Sequence, residues 1–406
     1  MSNSDLALWG LPPQVMYCRR CVISNQRPNS VVEFKNSVSD RKPTIGFDEF
    51  GVCSACRYAD IKETIDWELR EKELMALCDR YRSKSGSYDC IVPGSGGKDS
   101  AFTSHVLKYK YGMNPLTVTW APHRYTDIGF QNFQNWIHSG FDNILFTPNG
   151  RVHRLLTRLA FENLVHPFQP FIIGQRLIGP RLSALYGIPL VFYGENQAEY
   201  GNNIEENFRP TMDMSFFKRS PESSESINDI VLGGVTVSEL LDKYGVDRKD
   251  LNPYLPVDAA AIDRVGTEVH YLGYYLKWDP QECFYYAVEN TGFQTNPERT
   301  EGSYSKYSSI DDQIDPLHYY TTFIKFGIGR ATYDAAQEIR NRKIDREEGV
   351  ALVRRFDSEF PAKYFQSILE YMGITEARFH EIIDGARSPH LWHKVDGQWC
   401  LKHQVS

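Results

Sequence analysis

A glycine-rich turn that carries a lysine, an aspartate and two serines is the clearest chemical feature of the sequence. Residues 93–100 read PGSGGKDS, between the apolar run YDCIV and the segment AFTSHVLKYKYG. Such a turn exposes backbone N–H groups, and the start of a following helix adds partial positive charge, so it suits phosphate. The spacing is neither that of a Walker loop nor that of G-x-G-x-x-G. The alternative is an ordinary tight turn with a helix cap.

Two C-x-x-C pairs form the second feature. Cys18 and Cys21 are separated from Cys53 and Cys56 by 31 residues, a spacing within the range of zinc ribbons. Four thiolates make a closed tetrahedral site, which suits a structural zinc ion. Zinc would also supply folding energy to a segment with few apolar residues. The alternatives are an iron–sulfur or redox site, or cysteines without a ligand.

Short apolar strands alternate with helical segments behind the glycine-rich turn. Residues 88–94, 115–121, 142–148 and 188–194 each read as a buried strand, and residues 268–278 are a candidate fifth strand. Helical segments of about 10 to 15 residues separate the first four, which indicates a parallel sheet covered on both faces. We therefore predict an α/β fold with a parallel, five-stranded, doubly wound sheet.

The pattern also predicts a division of the chain. We expect a zinc-ribbon segment over residues 1–60 and the sheet domain over 61–295, with an exposed insertion around 201–265. Residues 296–406 are expected to form a C-terminal helical region. A further helix is predicted over residues 62–81. Ligands of such sheets bind at the carboxyl ends of the strands, where PGSGG, APHRYT and GENQAEYG fall.

Composition narrows the function classes. The 406 residues contain 45 Lys and Arg against 52 Asp and Glu, a net charge of -7, which disfavours a surface devoted to nucleic acid. There is no run of 18 apolar residues, and the first residues lack the pattern of a signal peptide. We expect a cytoplasmic protein that binds neither membrane nor nucleic acid.

The segment SGGKDS resembles the pyrophosphate loop (PP-loop) of the ATP pyrophosphatase superfamily, whose sheet is of the HUP-like type. The resemblance implies that ATP is cleaved between its α and β phosphates and that AMP is transferred to an oxygen. Lys98 would neutralise developing charge, and Asp99 would hold Mg2+. The residues expected to bind ATP are Pro93, Gly94, Ser95, Gly96, Gly97, Lys98, Asp99 and Ser100.

Two families join such a loop to an N-terminal zinc ribbon. The tRNA-thiolating enzymes do so, but they need further catalytic cysteines and a basic surface. Here the net charge is negative, and the other four cysteines form no second C-x-x-C pair. Thiolation of tRNA stays as the alternative function. The four remaining cysteines are Cys78, Cys90, Cys283 and Cys400.

Segments along nearly the whole chain resemble the N-acetyl sugar amidotransferases of the WbpG/PseA type. They are MYCRRCVIS, FDEFGVCSAC, PGSGGKDS, PLTVTWAPHRYTDIG, IPLVFYGENQAEYG, GYYLKWDPQE, GSYSKYSSIDD and FIKFGIGRATYDAAQEIRNRKI. The resemblance implies conversion of a sugar acetamido group to an acetamidino group. ATP would activate the amide oxygen as an O-adenylyl imidate, which ammonia then attacks. These enzymes act in surface polysaccharide biosynthesis, such as lipopolysaccharide O-antigen, or in nonulosonic acid biosynthesis, such as pseudaminic acid.

The resemblance also implies partners. The acceptor is expected to be an N-acetyl sugar, either nucleotide-linked or free. Residue 2 is Ser, and no cysteine lies on a Gly-flanked elbow, so we find no built-in glutaminase. Some relatives are thought to work with a glutaminase/cyclase pair of the histidine-biosynthesis type, and we therefore predict a separate glutaminase subunit as the ammonia source.

Other polar residues near the strand ends are candidates for substrate contacts. Glu195 is expected to orient the acetamido group or hold Mg2+, with a helix cap as the alternative, and Lys277 is expected to stabilise departing AMP. Residues 301–307 are expected to form a lid. The candidate substrate-binding residues are His123, Tyr125, Thr126, Tyr193, Asn196, Trp278, Glu301, Tyr304, Lys306 and Tyr307.

Overall fold

A five-stranded parallel sheet lies at the centre of the molecule. A computed structural model of the chain describes residues 6–29, 43–196, 199, 208–219 and 226–406. The strands run in the order β3-β2-β1-β4-β5, and all neighbouring pairs are parallel. The predicted parallel sheet is thereby confirmed. Its strands are β1 Cys90–Pro93, β2 Pro115–Trp120, β3 Asn143–Phe146, β4 Leu190–Tyr193 and β5 Glu268–Tyr271.

Alternate residues of the strands enter two different hydrophobic cores. Ile91 and Val191 belong to a large core that includes the helix Gln169–Tyr186. Their neighbours Val92 and Phe192 point to the other face and pack in a separate core. Because side chains alternate along a strand, residues buried on both faces produce the continuous apolar runs that mark these strands in the sequence.

In the sheet region, the helical segments predicted between the strands are unbroken helices. The segment 62–81 is an exception, because it contains the end of one helix and then a second helix that begins after Asp66. The carboxylate of Asp66 caps this second helix by accepting from the N–H of Leu69 at 3.0 Å. The α-helices up to residue 291 are Ser54–Lys62, Trp67–Tyr81, Lys98–His105, Asp127–His138, Gly150–Leu164, Gln169–Tyr186, Val237–Tyr244, Arg248–Leu251, Ala259–Val265, Leu272–Tyr275 and Pro280–Thr291.

The predicted fifth strand is too long. The strand ends at Tyr271, and a single helical turn, Leu272–Tyr275, follows it. The N–H of Gly273 donates to the carbonyl of Gly194 at 2.9 Å, which turns the chain across the end of β4. Of the predicted insertion, residues 201–207 and 220–225 lie outside the described residues. The rest of the insertion includes the short strands Lys218–Arg219, Val231–Leu232, Val235–Thr236 and Val257–Asp258.

The C-terminal region is helical, as predicted, but it ends in a β-hairpin that the sequence analysis did not include. Asp396 and Gly397 connect the two strands and both have positive φ, at 50° and 82°, which is the geometry that an Asp-Gly turn favours. The helices are Asp315–Phe326, Arg330–Arg340, Arg346–Phe356, Phe365–Met372 and Glu376–Ala386, and the hairpin strands are Trp392–Val395 and Gln398–Leu401.

The cysteine-rich segment packs on this C-terminal region. Val22 and Ile23 share a hydrophobic core with Ala335, Ala336 and the four paired cysteines. The helix Arg330–Arg340 is therefore held from one side by the cysteine-rich segment. No helix within the described ranges is long and apolar enough to span a bilayer.

Candidate active site

The glycine-rich turn lies where the strand order of the sheet reverses. From β1 the chain proceeds to β2 and β3 on one side, whereas β4 and β5 lie on the other. The turn follows β1, and Glu195 follows β4. Because open parallel sheets form a crevice at this reversal point, the two segments form opposite sides of a ligand-binding position.

The backbone of the turn packs closely against the helix Asp127–His138. Gly96 has a φ of 86°, and a Cβ built on it would lie 2.7 Å from the Cα of Phe133. Gly97 occupies the N-cap position of the helix Lys98–His105 and supplies no capping side chain. The first-turn N–H groups of this helix thus face the turn, which is the arrangement that binds anions.

We predict that Gly96→Ala destabilises the protein by more than the cost of placing alanine at a positive φ. A non-glycine residue at positive φ costs about 1–2 kcal/mol, and at Gly96 the clash with Phe133 adds to this cost. Gly86 is the matched control, because its φ is 80° and a Cβ there meets no atom within 4 Å. Denaturant unfolding and nucleotide binding should show a larger loss for Gly96→Ala; equal losses in both variants would contradict the close-packing argument.

Charged side chains converge beside the turn. The Nζ of Lys98 lies 2.6 Å from Oδ2 of Asp99, and 11% of the Lys98 side chain is exposed. Burial lowers the pKa of Lys98, but the negative charges of Asp99 and Glu195 outweigh this and leave the pKa raised. Burial, with the charge of Asp99, raises the pKa of Glu195. The ammonium group is thus charged, while Glu195 is able to exchange a proton near neutral pH.

One oxygen of Asp99 is well placed for a metal ion. Its Oδ2 pairs with Lys98, whereas its Oδ1 is buried and has no hydrogen-bond partner among the described residues. A buried carboxylate oxygen without a partner destabilises the folded protein unless a ligand binds to that oxygen. The residue type and this oxygen fit Mg2+, which prefers one or two carboxylates together with phosphate oxygens.

A cavity of about 410 Å³ connects the turn to the C-terminal region. Aromatic and apolar side chains of the helix Gln169–Tyr186 and its N-cap, among them Phe168 and Phe171, form part of the lining. Of the predicted site residues, those that line the cavity are Ser95, Gly97, Lys98, Asp99, Glu195 and Tyr307. Pro93, Gly94, Gly96 and Ser100 belong to the strand, the turn and the helix that hold these six in place.

The helix Arg330–Arg340 and the residue after it supply a second side of the cavity, here called the polar wall. The polar wall consists of Arg330, Asp334, Gln337, Glu338 and Asn341. These residues recur at intervals of three or four, so they lie on one face of the helix. None of these residues is among the predicted site residues, although RATYDAAQEIRN contains this polar stripe together with the buried alanines 331, 335 and 336.

Two further acids near the polar wall were also missed. Asp311 and Asp315 line the cavity, and Asp315 is 9% exposed. Burial raises the pKa of Asp315 to about 7, an effect that Arg330 partly opposes. The segment SSIDD contains Asp311, but nothing in its spacing shows which of its residues would face a ligand, and Asp315 lies just outside it.

The residues predicted after β2 lie next to the cavity in structural positions. His123 is fully buried, and its Nδ1 lies 2.7 Å from Oδ2 of Asp312. Thr126 caps the helix Asp127–His138 by accepting from the N–H of Gly129 at 2.9 Å. Tyr125 packs against Phe130 and Phe133. The structure therefore does not bring these three to the cavity lining.

Residues predicted near β4 and β5 are also outside the lining. The hydroxyl of Tyr193 donates to the carbonyls of Gln175 and Arg176 at 3.1 and 3.0 Å. Asn196 and Trp278 are buried at 2% and 1% exposure. Lys277 is half-exposed and pairs at 2.9 Å with Glu63, away from the cavity.

The predicted lid is tied down by contacts to the C-terminal region. The carboxylate of Glu301 accepts from the N–H of Lys363 at 3.0 Å. The hydroxyl of Tyr304 donates to Glu338 at 2.8 Å, and Lys306 donates to the carbonyl of Pro297 at 2.9 Å. Tyr307 alone among the four predicted lid residues faces the cavity, where its ring stacks on Phe284 with 4.3 Å between ring centroids.

A buried ion pair holds Glu199, which follows Glu195 closely in the chain. The Nζ of Lys62 lies 2.7 Å from Oε1 of Glu199, with both side chains 5% exposed, and Lys62 also donates to the carbonyl of Trp278. Arg340 donates to the carbonyl of Glu199 at 2.8 Å. The helix Ser54–Lys62 and the polar-wall helix therefore both hold Glu199.

We predict that Lys62→Met destabilises the protein by about 3–5 kcal/mol, because it leaves the buried carboxylate of Glu199 without its partner. The control is the double variant Lys62→Met with Glu199→Leu, which removes both charges and should recover much of the loss. Denaturant unfolding of the three proteins measures the effect. A double variant as unstable as the single one would contradict the proposed origin of the loss.

The four paired cysteines converge as predicted for a metal site. The sulfurs of Cys18 and Cys56 are 3.9 Å apart and those of Cys21 and Cys53 are 3.7 Å apart, and all four ligand atoms lie within 4.8 Å of one another. A tetrahedral zinc ion with Zn–S bonds of about 2.3 Å places its sulfurs about 3.8 Å apart. The cluster is buried, and it is compatible with structural zinc.

Backbone groups support the cluster. The N–H groups of Arg20, Cys21 and Cys53 donate to the sulfur of Cys18 at 3.4 to 3.5 Å. Such bonds stabilise the thiolate form, which is the form that binds a metal ion. The turns around the cysteines thus present the sulfurs as ligands.

The C-terminal region matches a known family. Residues 301–405, about a quarter of the chain, match the family model described as "LPS biosynthesis protein WbpG-like, C-terminal domain". The polar wall lies within this match. This part of the chain therefore resembles the C-terminal domain of WbpG-like lipopolysaccharide biosynthesis proteins, which confirms the predicted resemblance to the WbpG-type family.

A second comparison covers a short stretch. An uncharacterized protein of Methanocaldococcus jannaschii is 32% identical over 80 residues, which amount to 20% of this chain and 28% of that protein. The chain thus spans less than a third of the length of this relative, whose name states no activity.

Proposed function

We propose that the protein is an ATP-dependent amidotransferase that converts the acetamido group of a sugar to an acetamidino group. The observation that supports this most directly is the cavity, which joins a phosphate-suited turn to the polar wall of a WbpG-like domain. On this proposal the sheet region is a PP-loop domain that binds ATP. Amide and carboxylate side chains of the polar wall then receive the hydroxyl and amide groups of the sugar.

The residues of the turn would hold the pyrophosphate portion of ATP. The N–H groups at the start of the helix Lys98–His105 donate to its oxygens, and the ammonium group of Lys98 balances their charge. Asp99 would hold Mg2+ through the buried Oδ1, and the ion would neutralise charge on the phosphates. Phe168 and Phe171 give part of the cavity lining an apolar surface.

The reaction has two displacement steps. The amide oxygen of the sugar attacks the α-phosphorus, and the bond to pyrophosphate breaks with its electron pair leaving on pyrophosphate. Ammonia then adds to the imidate carbon, and the C–O bond to AMP breaks. The nitrogen must lose a proton during this step, and Glu195, whose pKa burial raises, is suited to accept it. Ammonia would come from a separate glutaminase subunit.

The test combines purified protein with ATP, Mg2+, isotopically labelled ammonium and either a nucleotide-linked or a free N-acetyl sugar. We expect AMP and pyrophosphate to form only when the sugar is present, and the labelled nitrogen to appear in the sugar by mass spectrometry. If tRNA stimulates AMP formation and sugars do not, the proposal is contradicted and thiolation of tRNA is favoured.

A further inference from the structure

Arg330 is the first residue of the polar-wall helix and lines the cavity that also contains the glycine-rich turn. Its backbone is fixed by Asp357, whose carboxylate accepts from the N–H groups of Gly329 and Thr332, each at 2.9 Å. A Cβ at position 329 would lie 2.8 Å from the carbonyl oxygen of Asp357, so the backbone at the helix start packs directly against Asp357. The position of Arg330 is therefore set before any ligand binds.

The side chain of Arg330 is held as firmly as its backbone. Its Nε lies 3.0 Å from Oδ1 and 3.2 Å from Oδ2 of Asp334, and its guanidinium carbon lies 4.4 Å from the centre of the Tyr319 ring. The side chain is 15% exposed. Asp334 engages only the Nε edge, and among the described residues the two terminal nitrogens have no hydrogen-bond or ion-pair partner.

The other cations of the cavity are differently engaged. Lys98 pairs with Asp99 at 2.6 Å, and Lys343 pairs with both Asp279 and Glu282 at 3.3 and 3.0 Å. The carboxylates occupy part of the three N–H donors of each ammonium group, and the ammonium group of Lys98 is already assigned to the pyrophosphate portion. A guanidinium group differs because it has five N–H donors in a fixed plane, so it can keep one carboxylate and still bind two oxygens.

We infer that Arg330 binds the α-phosphate of the nucleotide, the phosphate that remains with adenosine. This inference rests on the proposed function. The turn at Ser95–Gly97 and the helix after it receive the pyrophosphate portion, so a second cation in the lining of the same cavity is available to the phosphate that the sugar attacks. The two terminal nitrogens of Arg330 donate to its non-bridging oxygens and stabilise the charge that develops there in both displacement steps.

Equilibrium binding of AMP, pyrophosphate and UDP to the full chain tests the inference. Arg330→Gln should weaken AMP binding by at least about tenfold, the effect of losing a charge-assisted pair of hydrogen bonds. Pyrophosphate binding should change little. Arg330→Lys should restore only part of the AMP affinity, because an ammonium group lacks the planar pair of donors. Arg378→Gln is the control, since Arg378 is exposed and pairs with Glu381 in the same domain.

The outcomes separate this inference from the proposed function. Wild-type protein that binds neither AMP nor pyrophosphate would overturn both. If Arg330→Gln binds AMP as tightly as the wild type, the inference alone is overturned. The same holds if Arg330→Gln selectively loses UDP binding, because Arg330 would then bind the phosphates of a nucleotide-linked sugar.

A second measurement needs no variant and decides the matter if Arg330→Gln does not fold. Phenylglyoxal modifies arginine side chains, and peptide mass spectrometry locates the modified positions. AMP should protect Arg330 of the wild-type protein, whereas pyrophosphate should not. Equal protection by both ligands, or protection by neither, would overturn the inference.

Discussion

Asp99→Asn is expected to reduce sugar-dependent AMP formation by at least about a hundredfold while the protein remains folded. The substitution keeps the shape of the side chain but replaces one carboxylate oxygen with an NH2 group, which cannot bind a metal ion. It also removes the negative charge that pairs with Lys98. The rate of AMP formation should be measured over a range of Mg2+ concentrations, and unfolding should be followed in parallel.

Asp127→Asn is the matched control for this prediction. Asp127 begins the helix that follows β2, as Asp99 lies in the first turn of the helix that follows β1, but Asp127 is exposed and does not line the cavity. Both variants lose a favourable charge near a helix N-terminus, worth about 0.3–1 kcal/mol. Only Asp99→Asn should lose activity. An active Asp99→Asn protein with the Mg2+ dependence of the wild type would exclude the proposed metal-binding role.

The sheet and the glycine-rich turn could be predicted from the sequence because local patterns determine them. Apolar runs bounded by turns identified the strands, and the glycines between strand and helix identified the position of the turn. The boundary errors arose where a tertiary contact acts, as at Gly273, whose hydrogen bond to Gly194 ends β5 early.

The opposite side of the cavity was harder to predict because it depends on how distant segments pack. Arg330 is more than 200 residues from the glycine-rich turn, and only the packing of the C-terminal region brings it to the cavity. Lys277 shows the opposite case. It follows β5 closely in the sequence and was predicted to reach the site, but it pairs with Glu63 and does not line the cavity. His123 follows β2 but is buried against Asp312. The sequence therefore identifies candidate residues by their position just after a strand. Which of these residues face a ligand depends on the path of the backbone over the next few residues.

Removal of zinc is expected to affect both stability and the candidate active site. Cys56→Ser, or treatment with a strong chelator, should abolish the binding of one zinc ion per chain and lower the free energy of unfolding by several kcal/mol. Structural zinc sites of peptides contribute about 10–16 kcal/mol of apparent binding energy, which sets an upper bound. Metal analysis and denaturant unfolding with and without chelator measure these effects. Cys400→Ser is the control, because Cys400 lies in the C-terminal hairpin, outside the four-cysteine cluster.

The effect should extend beyond the cysteine-rich segment because of what packs against it. Cys21 and Cys53 share a core with Ala335 and Ala336 of the polar-wall helix. The helix that contains Cys56 ends at Lys62, which holds Glu199 close behind Glu195 in the chain. Zinc removal should therefore weaken AMP binding as well as stability, although no cysteine of the cluster lines the cavity. If the zinc-free protein bound AMP as tightly as the zinc-bound form, the metal site would stabilise only its own segment, and the coupling through these two helices would be wrong.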